Sequence, residues 1–255
     1  MIVASLLVLT AATATPIRPV GKWAVDYGDK KCTALRTFGS DAAPTTFAIQ
    51  PASFDMKRLS LSLLVPVESD RTAQDGKAVL TLQPSGATLR VDYSTWVSKD
   101  GKQRIYKIQT YPDQAAVLRD ATDVAILAGN QNVDFATGKL QPALGALGKC
   151  NDDLLRSMGA DPAAIAVPVG SPGDWVTFGD YPPEALKRNA QGEATLVATV
   201  NARGTVSACR ITTTAGDSEL DRKSCELVRQ RGRFEPLPGT PVRYWATTIR
   251  WFTGS

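Results

Sequence analysis

The chain contains no histidine. That removes the commonest general base and the commonest transition-metal ligand, and with them Ser-His-Asp and Cys-His catalysis. Its four cysteines (Cys32, Cys150, Cys209, Cys225) show no CxxC spacing, so a zinc site has no sequence basis. No glycine-rich phosphate loop occurs: Gly170-Ser171-Pro172-Gly173 lacks the lysine and the strand–helix context. No EF-hand pattern occurs either. The paired carboxylates Asp152-Asp153 diverge on a helix, and Asp120 and Asp123 flank a turn, so no poised acid–base pair is in view. The reading is therefore of a non-enzyme with no cofactor and no metal.

Charge is equally sparing. Twenty-nine Lys and Arg against 25 Asp and Glu give a net charge of +4, spread along the chain. No basic cluster is interleaved with aromatics, which speaks against a nucleic-acid partner. Apolar runs are short. The longest opens the chain, Ile2-Val3-Ala4-Ser5-Leu6-Leu7-Val8-Leu9, and Ala12-Thr13-Ala14 follows. A bilayer span needs about 20 apolar residues, so no transmembrane span is expected. The pattern fits a signal peptide over residues 1–14, cleaved after Ala14, with an uncleaved anchor or a buried strand as alternatives. No Lys or Arg precedes Arg18, which reads as a missing charged leader upstream of an internal Met. Export to the periplasm follows as the expected location. An even cysteine count in an oxidising compartment favours disulfides. Of the three possible pairings, co-location favours Cys32–Cys150 and Cys209–Cys225, with four free thiols as the alternative.

What is present divides into two patterns. From Gly21 to about Ala136 short alternating runs recur near every ten residues: Trp23–Tyr27, Cys32–Arg36, Leu59–Leu63, Val79–Leu82, Leu89–Tyr93, Arg104–Ile108 and Asp123–Leu127. Such spacing predicts a β-sandwich or barrel. A short helix is expected over Asp113–Asp120, and a closing helix over about Leu140–Met158 from its apolar spacing. The β-rich domain is therefore set at 21–158. Residues 159–179, rich in Ala, Pro and Gly, read as a linker.

The remainder reads helix, strand, strand, helix, strand. Pro182 and Pro183 suit a first helical turn, with Asp180 a candidate N-cap. Glu193–Asn201 and Thr205–Thr213 form a hairpin around Gly204. Asp217–Arg231 carries Leu220, Leu227 and Val228 on one helical face, and Arg243–Phe252 is a final aromatic strand. Along that strand Trp245, Thr247, Ile249 and Trp251 share one face, taken as core. Tyr244, Ala246, Thr248, Arg250 and Phe252 share the other.

Tyr181-Pro182, the hairpin Gly204, Leu220-Asp221, Arg233-Phe234-x-Pro236 and the closing aromatic strand stand in an order that resembles the TonB C-terminal domain family, over about 174–252. A cysteine pair placed like Cys209 and Cys225 is also familiar from exported members. The fold class expected is thus α+β: a mostly-β sandwich- or barrel-like domain with a closing helix, plus a small αββαβ TonB-like domain at 180–252. The resemblance implies a periplasmic TonB-like binding protein, associated with transmembrane transport. It would dock an extended peptide, or a TonB-dependent outer-membrane receptor, by strand addition. It places the peptide-binding edge at Arg243, Tyr244, Trp245, Thr247, Ile249 and Trp251, flanked by Phe178, Tyr181 and Pro182. The alternative is an envelope structural protein whose TonB-like domain dimerises or packs on its own β domain, a homodimer being compatible with an open edge. Two departures from the family stand out. A globular β domain occupies the place of a Pro-rich spacer, and Thr177-Phe178-Gly179-Asp180 stands where receptor-gripping members carry Gln-Pro.

Overall fold

The computed structural model describes residues 15–67, 73–112, 114–240 and 242–253; the expected signal peptide, 1–14, lies outside them. The fold is α+β, with a large curled nine-stranded half-barrel sheet and a small C-terminal sheet carrying helices. Nine strands form the large sheet: β1 (Ala24–Tyr27), β2 (Cys32–Ser40), β3 (Ala43–Ala52), β4 (Asp55–Pro66), β5 (Gln74–Gln83), β6 (Ala87–Val97), β7 (Gln103–Gln109), β8 (Asp123–Ala128) and β9 (Gln131–Phe135). Their spatial order is β1-β2-β3-β4-β7-β6-β5-β8-β9. Alternation places Ala78, Leu80 and Leu82 of β5, Val91 of β6 and Val124 and Ile126 of β8 on the buried face. Phe47 stacks on Phe135 at 5.2 Å between ring centres, and Phe38 meets Phe135 edge-on. A short helix, α1 (Gln114–Leu118), buries Ala115 and Leu118.

By proximity the chain forms two compact units. One comprises 15–24, 35–48 and 60–142; the other comprises 25–34, 49–59 and 143 onward. The second unit carries most of α2 and the whole small sheet. Helix α2 (Gln141–Ser157) runs without a break through Gly145 and Gly148, because its buried stripe of Leu144, Leu147 and Leu155 outweighs the weak helix propensity of two glycines. Cys150 on α2 is bonded to Cys32 on β2, with Cα atoms 6.0 Å apart.

After α2 come two 3-10 turns, Pro172–Trp175 and Phe178–Asp180, then α3 (Pro183–Lys187), β10 (Gly192–Val200), β11 (Val206–Thr213), α4 (Ser218–Arg231) and β12 (Arg243–Trp251). The small sheet is ordered β11-β10-β12, all antiparallel. Gly204 turns the hairpin at φ +79°, a conformation that a side chain resists. The Asp217 carboxylate accepts from the amides of Glu219 and Leu220 and so starts α4. A second disulfide, Cys209–Cys225, ties α4 to β11, with Cα atoms 5.5 Å apart.

Both faces of this sheet are covered. On one face Ala194, Leu196, Ala198, Val200, Trp245, Ile249 and Trp251 pack with Leu220, Leu227 and Val228 of α4. The other face puts Val197 and Ala246 against Leu155 and Met158. The α4-side core also draws in Ala166 and Trp175, upstream of the helix-first order recognised in the sequence. Trp175 meets Phe234 and Trp245 edge-on, at 5.4 and 5.1 Å. The Trp251 indole N–H donates to Ser224 Oγ at 2.8 Å, so its one polar atom is satisfied in the core.

Candidate functional site

A three-stranded sheet has two edges, and here they differ. On β11 the register with β10 slips twice. The pairs Thr195↔Thr213 and Leu196↔Ile211 leave Thr212 as an extra residue; Thr199↔Ala208 and Val200↔Val206 leave Ser207. Ser207 and Thr212 each turn a hydroxyl back onto a β10 carbonyl, Thr199 O and Thr195 O, both at 3.2 Å. Bulges of this kind spoil an edge as a template for a further strand.

The β12 edge is regular. It pairs with β10 from Arg243↔Val200 to Trp251↔Gly192 with no slip. In a strand the amide and carbonyl of one residue point to one side and those of the next to the other. Tyr244 points outward: its N–H donates to Ala164 O at 2.7 Å, and its carbonyl accepts from Ala166 N–H at 2.8 Å. Parity therefore directs Ala246, Thr248 and Arg250 outward too. Among the described residues no backbone group bonds to theirs on that side. The turn at Ser53-Phe54 approaches the middle of the strand. There Thr247 Oγ1 lies 3.2 Å from Ser53 Oγ, and Phe54 packs with Ala246. Thr248 and Arg250 remain the open rungs.

The residues singled out from the sequence separate accordingly. Trp245, Ile249 and Trp251 are buried against α4, and Thr247 is buried beside them. Their side chains are core, and their backbone groups face β10. Arg243 is buried as well, its guanidinium Nη2 donating to Glu235 O at 2.7 Å. Tyr244 is half-buried and already bonded. Arg250 is exposed and paired with Glu193 at 3.0 Å. The sequence reading selected a side-chain face, whereas strand addition is governed by backbone parity. The outward backbone groups of the strand belong to the other parity, at Thr248 and Arg250.

Beside the start of the domain, Tyr181 is buried edge-on to Trp251 at 5.2 Å and donates its hydroxyl to Ala190 O. Burial pushes the Tyr181 phenol pKa up. Pro182 is buried at the N-cap position of α3, with no side-chain capping bond. Phe178, in contrast, is 70% exposed at the head of its 3-10 turn. That turn is firmly held. Asp180 accepts from Thr177 N–H at 2.9 Å and Thr177 Oγ1 at 2.8 Å. Arg231 grips the same carboxylate twice, Nη1 to Oδ2 at 2.6 Å and Nη2 to Oδ1 at 2.7 Å. These hydrogen bonds, led by Arg231, hold the Asp180 carboxyl well below the usual carboxylate range. Asp180 does not cap α3, as the sequence suggested; it braces the turn against the end of α4. Among the described residues no group of three or more Cys, Asp or Glu could hold a metal ion.

A helix–strand–strand–helix–strand order, one regular edge and an aromatic final strand are thus in place. Residues 179–252 match the Gram-negative bacterial TonB protein C-terminal family. No curated protein and no solved structure matches the chain. The TonB C-terminal family is a non-enzymatic protein-interaction domain of the Gram-negative envelope. The chain therefore carries a TonB-like domain associated with envelope transport or protein interaction, which implies protein partners. No described helix is long and apolar enough to cross a membrane. The TonB-like match begins at Gly179, one residue after Phe178, and ends at Phe252, just past β12.

Proposed function

We propose that this is an exported periplasmic binding protein that receives an extended segment of a protein partner, an outer-membrane receptor, by strand addition along β12. The observation that carries the proposal is the contrast between the two edges: β11 is bulged twice, whereas β12 is regular and directs unbonded backbone groups outward at Thr248 and Arg250. Main-chain hydrogen bonds would supply the affinity, and exposed Phe178 near the buried Tyr181 would supply an apolar contact beside the edge. The test is an NMR titration of the full chain with extended N-terminal peptides of TonB-dependent receptors. Amide shifts centred on Thr248 and Arg250 are expected. Shifts confined to β11, or none at millimolar peptide, would overturn the reading.

A second reading has its own support. The bonds between Tyr244 and Ala164–Ala166, and the cover of Leu155 and Met158 over Val197 and Ala246, fit an envelope structural protein whose TonB-like domain is occupied by its own chain. A homodimer through the open rungs is the related form. Sizing of the full chain over a wide concentration range separates these: a constant monomer that takes no peptide favours self-occupation.

A further inference from the structure

Residues 164–169 are held on the TonB-like domain by two isolated bridges, a parallel one from Ile165 to Tyr244 of β12 and an antiparallel one from Pro168 to Phe234. Tyr244 N–H donates to Ala164 O at 2.7 Å and Ala166 N–H to Tyr244 O at 2.8 Å. Farther along, Glu235 N–H donates to Val167 O and Val169 N–H to Arg233 O, at 2.9 and 2.8 Å. Pro168 has no N–H to offer and sits between the two residues that make these last bonds, where none is needed.

The side chains anchor this segment lightly. Ala166 is 1% exposed and belongs to the core with Trp175 and Trp245. Ile165 is half-buried beside Tyr244. Val167 and Val169 are 38% and 52% exposed. One buried methyl, one half-buried isoleucine and four backbone bonds place the segment towards the low end of local stability. Gly159 and Gly170 bracket it, both at positive φ, +71° and +75°. Glycine adopts that backbone at no steric cost.

We infer that residues 164–169 are an intramolecular stand-in for a partner strand, and that the partner replacing them is an uncharged extended peptide of the same chemistry. It would carry a small residue at the Ala166 position, apolar β-branched residues on either side of it, and a proline two positions on. The inference rests on the outward side of β12 being a strand acceptor, extends it past Tyr244 to Arg233 and Glu235, and adds what that stretch prefers. The pattern follows from the site. Ala166 is enclosed, so a larger side chain has no room. Val167 and Val169 alternate with it on the open side, while Ile165 packs towards Leu155, Met158, Val197 and Ala246; β-branched residues suit an extended backbone at all three positions. None of residues 162–170 is charged, so recognition runs through backbone and shape, and its salt dependence is small. The tether holds the stand-in at an effective concentration of about millimolar. A weak free peptide therefore competes poorly until the stand-in is released.

Two measurements on the full chain test this. In native-state hydrogen exchange, the amides of Ala166, Val169, Tyr244 and Glu235 are expected to exchange at least about tenfold faster than those of Trp245 and Thr247, which face β10. Exchange of all six in one cooperative step would mean that the segment is integral, and would overturn the inference. The second measurement uses Ala166→Glu, which evicts the stand-in, with a synthetic peptide of sequence 163–170. The folded variant is expected to bind this peptide at least about tenfold more tightly than the unaltered chain, with shifts at Tyr244 and Glu235. The same peptide carrying Glu at the Ala166 position should not bind. If Ala166→Glu fails to fold, the exchange experiment decides alone. A folded variant that takes receptor-type peptide at Thr248 and Arg250 but not the 163–170 peptide sinks this inference and leaves the acceptor reading standing. One that takes neither sinks both. A variant that dimerises instead, with its edge amides protected, identifies a second copy as the occupant and also overturns it.

Discussion

The amide of Tyr244 and the carbonyl oxygen of Ala164 are joined by a 2.7 Å hydrogen bond, although 80 positions of sequence separate them. The bond uses the side of β12 that faces away from β10. It thereby fixes which residues of the last strand have backbone groups to offer and which have already committed theirs.

Proline substitution reads this parity directly. Thr248→Pro removes an amide that points outward, where proline is tolerated on an edge strand. It is expected to cost no more than about 1 kcal/mol of stability while abolishing peptide binding. Ile249→Pro removes an amide that serves the β10–β12 ladder and is expected to cost about 3 kcal/mol or more. Urea unfolding of the two variants checks the contrast; a larger cost for Thr248→Pro than for Ile249→Pro would mean that the strand faces the other way.

Asp180 makes a pH prediction. Its folded pKa lies below the unfolded value because Arg231 and Thr177 hydrogen-bond the carboxylate. The unfolded state therefore binds the proton first. The contribution is fully present above about pH 4–5 and is lost as pH falls through the unfolded value, about 3.9, towards the lower folded one. Asp180→Asn should lose about 1.5–3 kcal/mol at neutral pH, the range for hydrogen bonds to a charged group. Its deficit relative to the unaltered chain should shrink on acidification. Unfolding midpoints from pH 7 down to pH 2 measure this, and a deficit independent of pH would refute it.

The buried pair of Trp251 and Ser224 allows a cleaner stability test. Ser224→Ala leaves the Trp251 indole N–H without a partner in the core and is expected to cost about 1–3 kcal/mol. Trp251→Phe in the same background removes the orphaned donor. The second change should therefore cost less in that background than alone, as a double-mutant cycle in denaturant will report.

Replacing both Cys209 and Cys225 by Ser opens a short loop, the partners being 16 positions apart. In the chain-entropy account this costs about 3 kcal/mol. A shift of the unfolding midpoint that matches the fully reduced form of a chain retaining only this bond would agree; no shift would indicate strain in the native bond that offsets the entropy.

Much of this architecture was legible from residue order, and particular residues explain the parts that were not. Strands such as β5 and β6 alternate cleanly, so Leu80, Leu82 and Val91 announce a buried face. Strand β3 was missed because Pro44 and Pro51 break its run, and β9 because Gln131 and Asn132 read as turn. Asp217 was seen as the start of α4 and does cap it. Asp180 looked like the same device one helix earlier, yet its partner Arg231 is 51 positions away and no local rule reaches it. Residues 159–179 were read as a linker from their alanines, prolines and glycines, and the bridges that Ile165 and Pro168 make to Tyr244 and Phe234 depend on partners 79 and 66 positions away that no local pattern reveals.

The Cys32–Cys150 bond makes a covalent ring of the chain from the start of β2 to the middle of α2, enclosing strands β2 through β9. A protease that cuts once anywhere on that ring linearises it without dividing the molecule. On a non-reducing gel the nicked protein would keep its full mass, and only thiol would part the fragments.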